Sequence, residues 1–387
     1  KKTFLITSEK NGYNHIYLYD LDGRELGQVT KGTWDVTRII DYNEKDKVVY
    51  FESAEASSLR RNVYSTDLKG KTKICLTQRE GVNKAEFFTN FNYFTNSYTS
   101  ANTPPRISIC DKTGKEIRTI VTNDSLQLLC KEYGFMPKEF ITVKSEGELL
   151  NGWMIKPQGF TEGKKYPVFM YVYGGPGSQT VMDSWNYDMP WYQLLAQKGY
   201  IVVSVDNRGT GARGEKFKKM TYMQLGKYET IDQINAANYL AKQPYIDGDR
   251  IGIFGWSYGG YMSSLCILKG ADVFKAAIAV APVTNWRYYD NIYTERFMRT
   301  PRENADGYDS NSPIHYAGDL KGKYLLIHGT ADDNVHFQNS IEFISELVAS
   351  GKQFEVFFYP DSNHGMNQKG HRSHLYRLMT DFILRNL

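Results

Sequence analysis

The residues best suited to do chemistry begin with a serine held between two glycines, Gly255-Trp256-Ser257-Tyr258-Gly259. It follows the strand-like run RIGIF and precedes the helix-forming YMSSLCIL. So tight a turn from strand to helix leaves room only for glycines beside the serine and stands its hydroxyl clear of the backbone, as a nucleophile must stand. A serine hydroxyl needs a base. Of the seven histidines, His364 lies in YPDSNHGM directly after the last strand-like run, on a loop able to reach Ser257. His371 and His374 fall at the start of the final helix and read as solvated positions. An acid must orient the imidazole, and Asp332 and Asp333 follow the strand-like KYLLIHG in the loop GTADDN. The first sits nearer the strand end, where a buried acid is expected, but the residues alone leave the choice between the two open.

The oxyanion formed on attack needs hydrogen-bond donors. The amide of Tyr258, at the start of the following helix, supplies one. The loop YVYGGPG at 171–177, after the strand FMYVY, is where a second belongs, and Tyr173 can donate through its phenol. Substrate shape points to TNWRYYDNIY at 284–293, after the strand AAIAVAPV. Trp286, Tyr289 and Tyr293 recur at spacings of three and four, so a helix there gives one aromatic face beside Ser257 and a pocket for a small, flat, apolar group. Two further patterns are dismissed. GTGARG at 209–214 is a literal G-x-G-x-x-G, but the acids about 20 residues on, Glu229 and Asp232, sit on an apparent helix rather than at the end of a second strand. No nucleotide site is expected. His328 and His336 share neither a helix face nor a ligand spacing, so no metal or cofactor is called.

Three loops must therefore meet at one edge of a sheet. From Phe140 a hairpin, FITVKSEGELLNGWMIKP, leads to the buried-type strands YPVFMYVY, YIVVSVD, RIGIFGW, AAIAVAPV, KYLLIHG and FEVFFYP. Helix-like stretches separate several of them, notably 228–242 and 374–387, the last with Leu375, Leu378, Phe382 and Ile383 on one face. Eight strands, mostly parallel, make a doubly wound α/β domain over residues 126–387, with its chemistry at the carboxyl ends of the strands. The chain order Ser257, Asp332, His364 is that of an α/β hydrolase.

The first 125 residues repeat. IYLYDLDGRELGQVT, NVYSTDLKGKTKICLT and RISICDKTGKEIRTIVT each read as an alternating strand, a D-x-x-G turn and a second strand. Their turn glycines, Gly23, Gly70 and Gly114, lie 47 and 44 residues apart, the period of a four-stranded propeller blade. A propeller closes with about four blades or more, and fewer than three fit here. The chain starts Lys1-Lys2-Thr3-Phe4 with no Met and runs straight into a strand, so residues 1–125 are read as the last blades of a larger propeller and the true N-terminus as missing.

Composition excludes other classes. A net charge of +4 from 47 basic and 43 acidic residues, with no block of like charge, gives nucleic acid or an anionic membrane no electrostatic footprint. The longest apolar run, at 276–283, is far short of the roughly 18 residues a span needs. The four cysteines, Cys75, Cys110, Cys130 and Cys266, lack any CxxC spacing, which argues against a zinc site or a dense disulfide framework and leaves room for one bridge.

GWSYGGYM, APVTNWRYYDNIYTERFM, IHGTADDNVHFQ and YVYGGPGSQ together resemble the dipeptidyl peptidase IV branch of the prolyl oligopeptidase family of serine peptidases, a likeness that runs over nearly the whole chain. The resemblance implies a β-propeller joined to a C-terminal α/β hydrolase, with Ser257, Asp332 and His364 as the triad and Tyr173 and the Tyr258 amide as the oxyanion hole. It further implies that Val283, Trp286, Tyr289, Tyr293 and Val335 line a proline pocket, and that Asn334 holds the carbonyl of the penultimate residue. Members of that branch measure the substrate's free amine with two adjacent glutamates in the propeller, and no Glu-Glu pair occurs here. The family is commonly dimeric and commonly secreted, periplasmic or surface-anchored, and both follow from the resemblance alone. The expectation is a serine exopeptidase releasing N-terminal di- or tripeptides after proline or alanine. The competing readings are an esterase or acylaminoacyl peptidase on the same fold, and an inert propeller-based binding protein.

Overall fold

The protein is described over residues 2–387 by a computed structural model. Its contacts gather into two units. One runs up to Pro137 and takes in Met182–Met189 and Gly211–Lys218; the other comprises Lys138–Val181, Pro190–Thr210 and Lys219–Leu387.

The first unit holds three antiparallel sheets. Strands β1 (Thr3–Ser8), β2 (His15–Asp20) and β3 (Glu25–Gln28) form the first. The second is β4 (Val36–Asn43), β5 (Val48–Ser53), β6 (Asn62–Asp67) and β7 (Ile74–Cys75), and the third is β8 (Val82–Phe87), β9 (Tyr93–Ser100), β10 (Thr103–Asp111) and β11 (Glu116–Val121), each in meander order. Strand alternation explains how they stack. Val49 and Phe51 of β5 face a core with Ile16, Val29 and Val36, whereas Tyr50 between them faces a second core with Val63, Ala85 and Phe94. The middle sheet is thus buried on both faces by its neighbours, which is how propeller blades pack.

The repeated D-x-x-G turns share one mechanism. Asp20 Oδ1 accepts from the amides of Asp22 and Arg24, Asp67 Oδ1 from those of Lys69 and Lys71, and Asp111 Oδ1 from those of Thr113 and Lys115. The glycine that closes each turn has positive φ, 79° at Gly23, 69° at Gly70 and 91° at Gly114. Gly70 and Gly114 are also pressed against the preceding sheet: a Cβ there would lie 2.2 Å from Val29 O and 2.1 Å from Leu76 O respectively. The period read from the sequence is therefore a packing period. All four cysteines are free thiols.

The second unit is an eight-stranded sheet of β12 (Lys138–Ser145), β13 (Glu148–Ile155), β14 (Tyr166–Tyr171), β15 (Ile201–Val205), β16 (Ile246–Trp256), β17 (Ala276–Val280), β18 (Lys323–Gly329) and β19 (Glu355–Tyr359). Its order is β12-β13-β15-β14-β16-β17-β18-β19, antiparallel as far as β15 and parallel thereafter. Strands β15 and β17 are buried at every residue, so both faces of the sheet are covered and the runs are continuously apolar rather than alternating. This is the expected α/β-hydrolase architecture. The chain passes from β14 to β15 on one side and then to β16 on the other, so the loops after β14 and β16 open at a topological switch point, the usual place for a ligand.

Five helices bear on the site: α1 (Lys227–Ala241), α2 (Tyr258–Lys269), α3 (Asn291–Met298), α4 (Gln338–Ala349) and α5 (His371–Asn386). Two expectations need correction. The final helix starts at His371, not His374, because Gly370 at φ 83° turns the chain into it a turn earlier. His371 is half-buried rather than solvated, its Nδ1 2.6 Å from Ser362 Oγ, whereas His374 is exposed as expected but has its Nδ1 2.7 Å from Tyr359 Oη; the two contacts tie the helix to the last strand and its loop. Among the described residues no helix is long and apolar enough to cross a membrane.

Candidate active site

Ser257 occupies the turn between β16 and α2 at φ 61°, ψ −118°, a conformation that L-residues rarely adopt. The flanking glycines make the turn sterically feasible. A Cβ on Gly255 would sit 2.1 Å from Gly259 O, and one on Gly259 would sit 2.2 Å from Val172 O. The serine side chain makes no capping bond to its own helix, so its hydroxyl is not spent there. Its amide donates to Val280 O at 2.8 Å, which fixes the turn to β17.

His364 reaches the same edge. Its Nδ1 donates to Asp332 Oδ2 at 2.7 Å, and its carbonyl oxygen accepts from the indole of Trp256, the residue before Ser257, at 3.1 Å. Asp332 is buried, with Oδ1 accepting from the amides of Asn334 and Val335 at 2.9 and 3.0 Å. Burial works to raise this carboxyl's pKa, but the hydrogen bonds from His328 and His364 and from the Asn334 amide outweigh it and hold the acid well below the usual carboxylate range. Asp333 is exposed, so of the two aspartates it is Asp332 that meets the imidazole.

Tyr258 carries its backbone amide at the first position of α2, where helix N–H groups lack intrahelical partners and point their positive dipole outward. Its ring is wholly buried, 5.9 Å from Tyr173, 5.3 Å from Tyr261 and 5.5 Å from Trp286 between centroids. Burial raises the pKa of the Tyr173 phenol, which keeps it a proton donor.

The aromatic segment is not the single helix its spacing suggested. A 3-10 turn covers Trp286–Tyr288, the chain extends at Tyr289, and α3 starts only after Asp290, whose side chain caps it by accepting from the Tyr293 amide at 2.8 Å. The rings converge nonetheless: Trp286 stacks on Tyr293 at 5.9 Å, and Tyr289 meets both edge-on at 5.8 and 5.3 Å. Val283 and Val335 are buried at 2% and 0% exposure. Asn334 Oδ1 accepts from Tyr289 Oη at 2.7 Å, and its side-chain Nδ2 makes no hydrogen bond among the described residues. A cavity of about 650 Å³ lies alongside, lined in part by Tyr289, Asp290, Asn334 and His336. No group of three His, Cys, Asp or Glu among the described residues could hold a metal.

A serine on a strained turn, an imidazole held by a buried carboxylate and an aromatic recess are what acyl transfer to a hydroxyl requires. Comparison with known proteins agrees. Residues 185–387 match the prolyl oligopeptidase family, and residues 1–105 match the dipeptidyl peptidase IV N-terminal region. The chain belongs to the prolyl oligopeptidase family. Among its relatives in the family, it is 37% identical to dipeptidyl peptidase 4 of Trichophyton equinum and to that of Arthroderma otae, each over 99% of this chain and 51% of the relative. The crystal structure of Porphyromonas gingivalis dipeptidyl peptidase 4 superposes with a TM-score of 0.96 at 46% identity, covering 100% of this chain and 55% of that one. The chain spans about half the length of the relatives it matches.

Three residues that sequence reasoning passed over help build this candidate site. Trp256 pins the His364 loop. Glu229, set aside with the false nucleotide motif, is fully buried on α1 and accepts from Tyr258 Oη at 2.8 Å. His328, set aside as no metal ligand, touches Asp332. A polar residue inside an otherwise apolar segment was the available signal for His328; Glu229 gave none, because α1 shows no clean apolar face to make a buried acid stand out.

Proposed function

We propose that the protein is a serine exopeptidase of dipeptidyl peptidase IV type, removing N-terminal di- or tripeptides after proline or alanine. Ser257 Oγ attacks the scissile carbonyl while His364 Nε2 takes its proton, and Asp332 fixes the imidazole with Nδ1 protonated. The tetrahedral oxyanion is held by the Tyr258 amide and the Tyr173 phenol. Collapse expels the amine, which receives the proton from His364, and a water then hydrolyses the acyl-enzyme by the same route reversed. The observation that carries this reading is the clamp on His364, bonded to Asp332 at one side of the residue and to the Trp256 indole at the other.

The ring of the substrate's proline fits the recess of Trp286, Tyr289 and Tyr293 with Val283 and Val335, and the Asn334 amide nitrogen suits the preceding carbonyl. A homodimer joins this reading: β19 is the sheet's edge, and the exposed Val356, Ile341, Val348 and Leu384 lie on it and on α4 and α5. A place outside the cytosol, secreted, periplasmic or at the cell surface, rests on the family resemblance alone.

The test compares Gly-Pro and Ala-Pro amide hydrolysis by the protein with its Ser257→Ala variant, together with labelling by a fluorophosphonate probe. Equal turnover in the two, or no label at Ser257, ends the proposal. Faster cleavage of p-nitrophenyl esters or blocked peptides than of proline amides points instead to an esterase or acylaminoacyl peptidase.

A further inference from the structure

We infer that His328 is a positioning residue that locks the acid Asp332 and the pocket residue Val335 into one geometry, an inference that rests on the peptidase reading above. His328 is wholly buried near the end of β18. Its Nε2 lies 2.9 Å from Val335 O and 3.2 Å from Asp332 Oδ2, and its Nδ1 lies 2.6 Å from Ser340 Oγ on α4. A backbone carbonyl only accepts, so Nε2 carries a proton, and Nδ1 in the neutral ring accepts from the Ser340 hydroxyl. One N–H is thereby shared between the acid and the pocket wall. The Phe337 ring meets the imidazole edge-on at 5.6 Å, so the loop from Gly329 to Phe337 is wrapped round this ring.

Asp332 Oδ2 thus faces two imidazoles, His364 at 2.7 Å and His328 at 3.2 Å, while its Oδ1 is filled by two amides. The donor from His328 draws off part of the charge that His364 would otherwise meet. Its loss lets the carboxylate attract the imidazolium form of His364 more strongly, so the acid limb of kcat/KM moves to higher pH. Loss also frees Val335 O and loosens the pocket, which raises KM for proline substrates. A histidine that merely fills the core moves neither the acid limb nor its dependence on a donor at this position. Other polar and charged groups beside the Asp332–His364 pair include the neighbouring Asp333 and Asn334, the Tyr289 phenol, the Trp256 indole and Arg372, which donates to Gly365 O. None of them is altered by substitution at 328.

The experiment follows kcat/KM for Ala-Pro anilide from pH 5 to 9 in the protein and in its His328→Leu, His328→Gln and Asp332→Asn variants. His328→Leu is expected to move the acid limb up by about half a unit to one unit and to raise KM severalfold. In His328→Gln the side-chain amide reaches the same two oxygens, and both changes are largely reversed. A folded His328→Leu protein with unmoved acid limb and unmoved KM overturns the inference. Should that variant not fold, nitrogen-15 spectra of the histidine-labelled protein decide: a His328 ring protonated at Nε2 and bare at Nδ1 supports it, and the opposite tautomer overturns it. Full activity in Asp332→Asn sinks the peptidase reading itself, a result distinct from failure at His328.

Discussion

The indole of Trp256 donates to the carbonyl oxygen of His364 at 3.1 Å, so the residue before Ser257 holds the loop that carries His364. Arg372 grips the same loop, with its guanidinium 4.8 Å from the Trp256 ring and Nη1 3.4 Å from Gly365 O. Trp256→Phe removes the N–H together with part of the ring system and leaves a smaller aromatic ring for the guanidinium. A net loss of about 1 kcal/mol per hydrogen bond predicts roughly a fivefold fall in kcat, with KM nearly unchanged because no pocket residue moves. Steady-state kinetics on a proline amide check it, and a rise in KM at constant kcat contradicts it.

The backbone of Ser257 makes a separate prediction, about stability rather than rate. At φ 61° the residue is strained in a way glycine is not. Ser257→Ala and Ser257→Gly both abolish turnover, but the glycine variant is expected to be more stable than the alanine variant by about 1 kcal/mol despite its freer unfolded chain. Urea denaturation of the two variants side by side measures the difference, and an alanine variant equal to or more stable than the glycine variant shows that the turn stores no strain.

Gly259 gives a steric counterpart. A Cβ there meets the Val172 carbonyl at 2.2 Å, and backbone cannot swing aside as a flexible side chain can. Gly259→Ala is predicted to cost more than about 2 kcal/mol and to reduce activity as well, since Val172 adjoins Tyr173. A variant with wild-type melting temperature and turnover contradicts this.

Much of this arrangement was legible in the sequence because it is written in local chemistry. The D-x-x-G turns, the Gly-x-Ser-x-Gly elbow and the apolar strands each depend on residues a few positions apart. His364 and the loop with Asp332 and Asp333 were legible because both follow strands of one parallel sheet, whose carboxyl ends share an edge, while burial and the bond to His364 single out Asp332. What stayed hidden joins distant residues through side chains. Nothing local in α1 says that Glu229 will accept from Tyr258, nor in α5 that His374 will bond to Tyr359. The break between the two aromatic turns was missed for the opposite reason: Asn285 and Asp290 are local cap residues, but ring spacing alone masked them.

Glu229 carries the last prediction. It is fully buried beneath Tyr258, and burial pushes its carboxyl up to about 7, against the bonds from its own helix backbone and the Tyr258 phenol and with a small push from Asp232. The rise means that the folded state holds this proton more tightly than the unfolded chain does. Its contribution to stability is therefore full below the unfolded carboxyl's range, near pH 4.5, declines as pH rises, and has gone to its floor above about pH 7. The total is on the order of 3 kcal/mol. Glu229→Gln keeps an oxygen for the Tyr258 phenol and cannot titrate, so the difference in unfolding free energy between the protein and this variant isolates the effect from every other ionisation, Asp332 included. Relative to the variant, the protein is expected to lose stability steadily between pH 4.5 and 7 in denaturant titrations. A difference that stays flat across that window means that the Glu229 carboxyl ionises as it would in water, and one that grows in the protein's favour means that the fold prefers its charged form; either result contradicts the raised pKa.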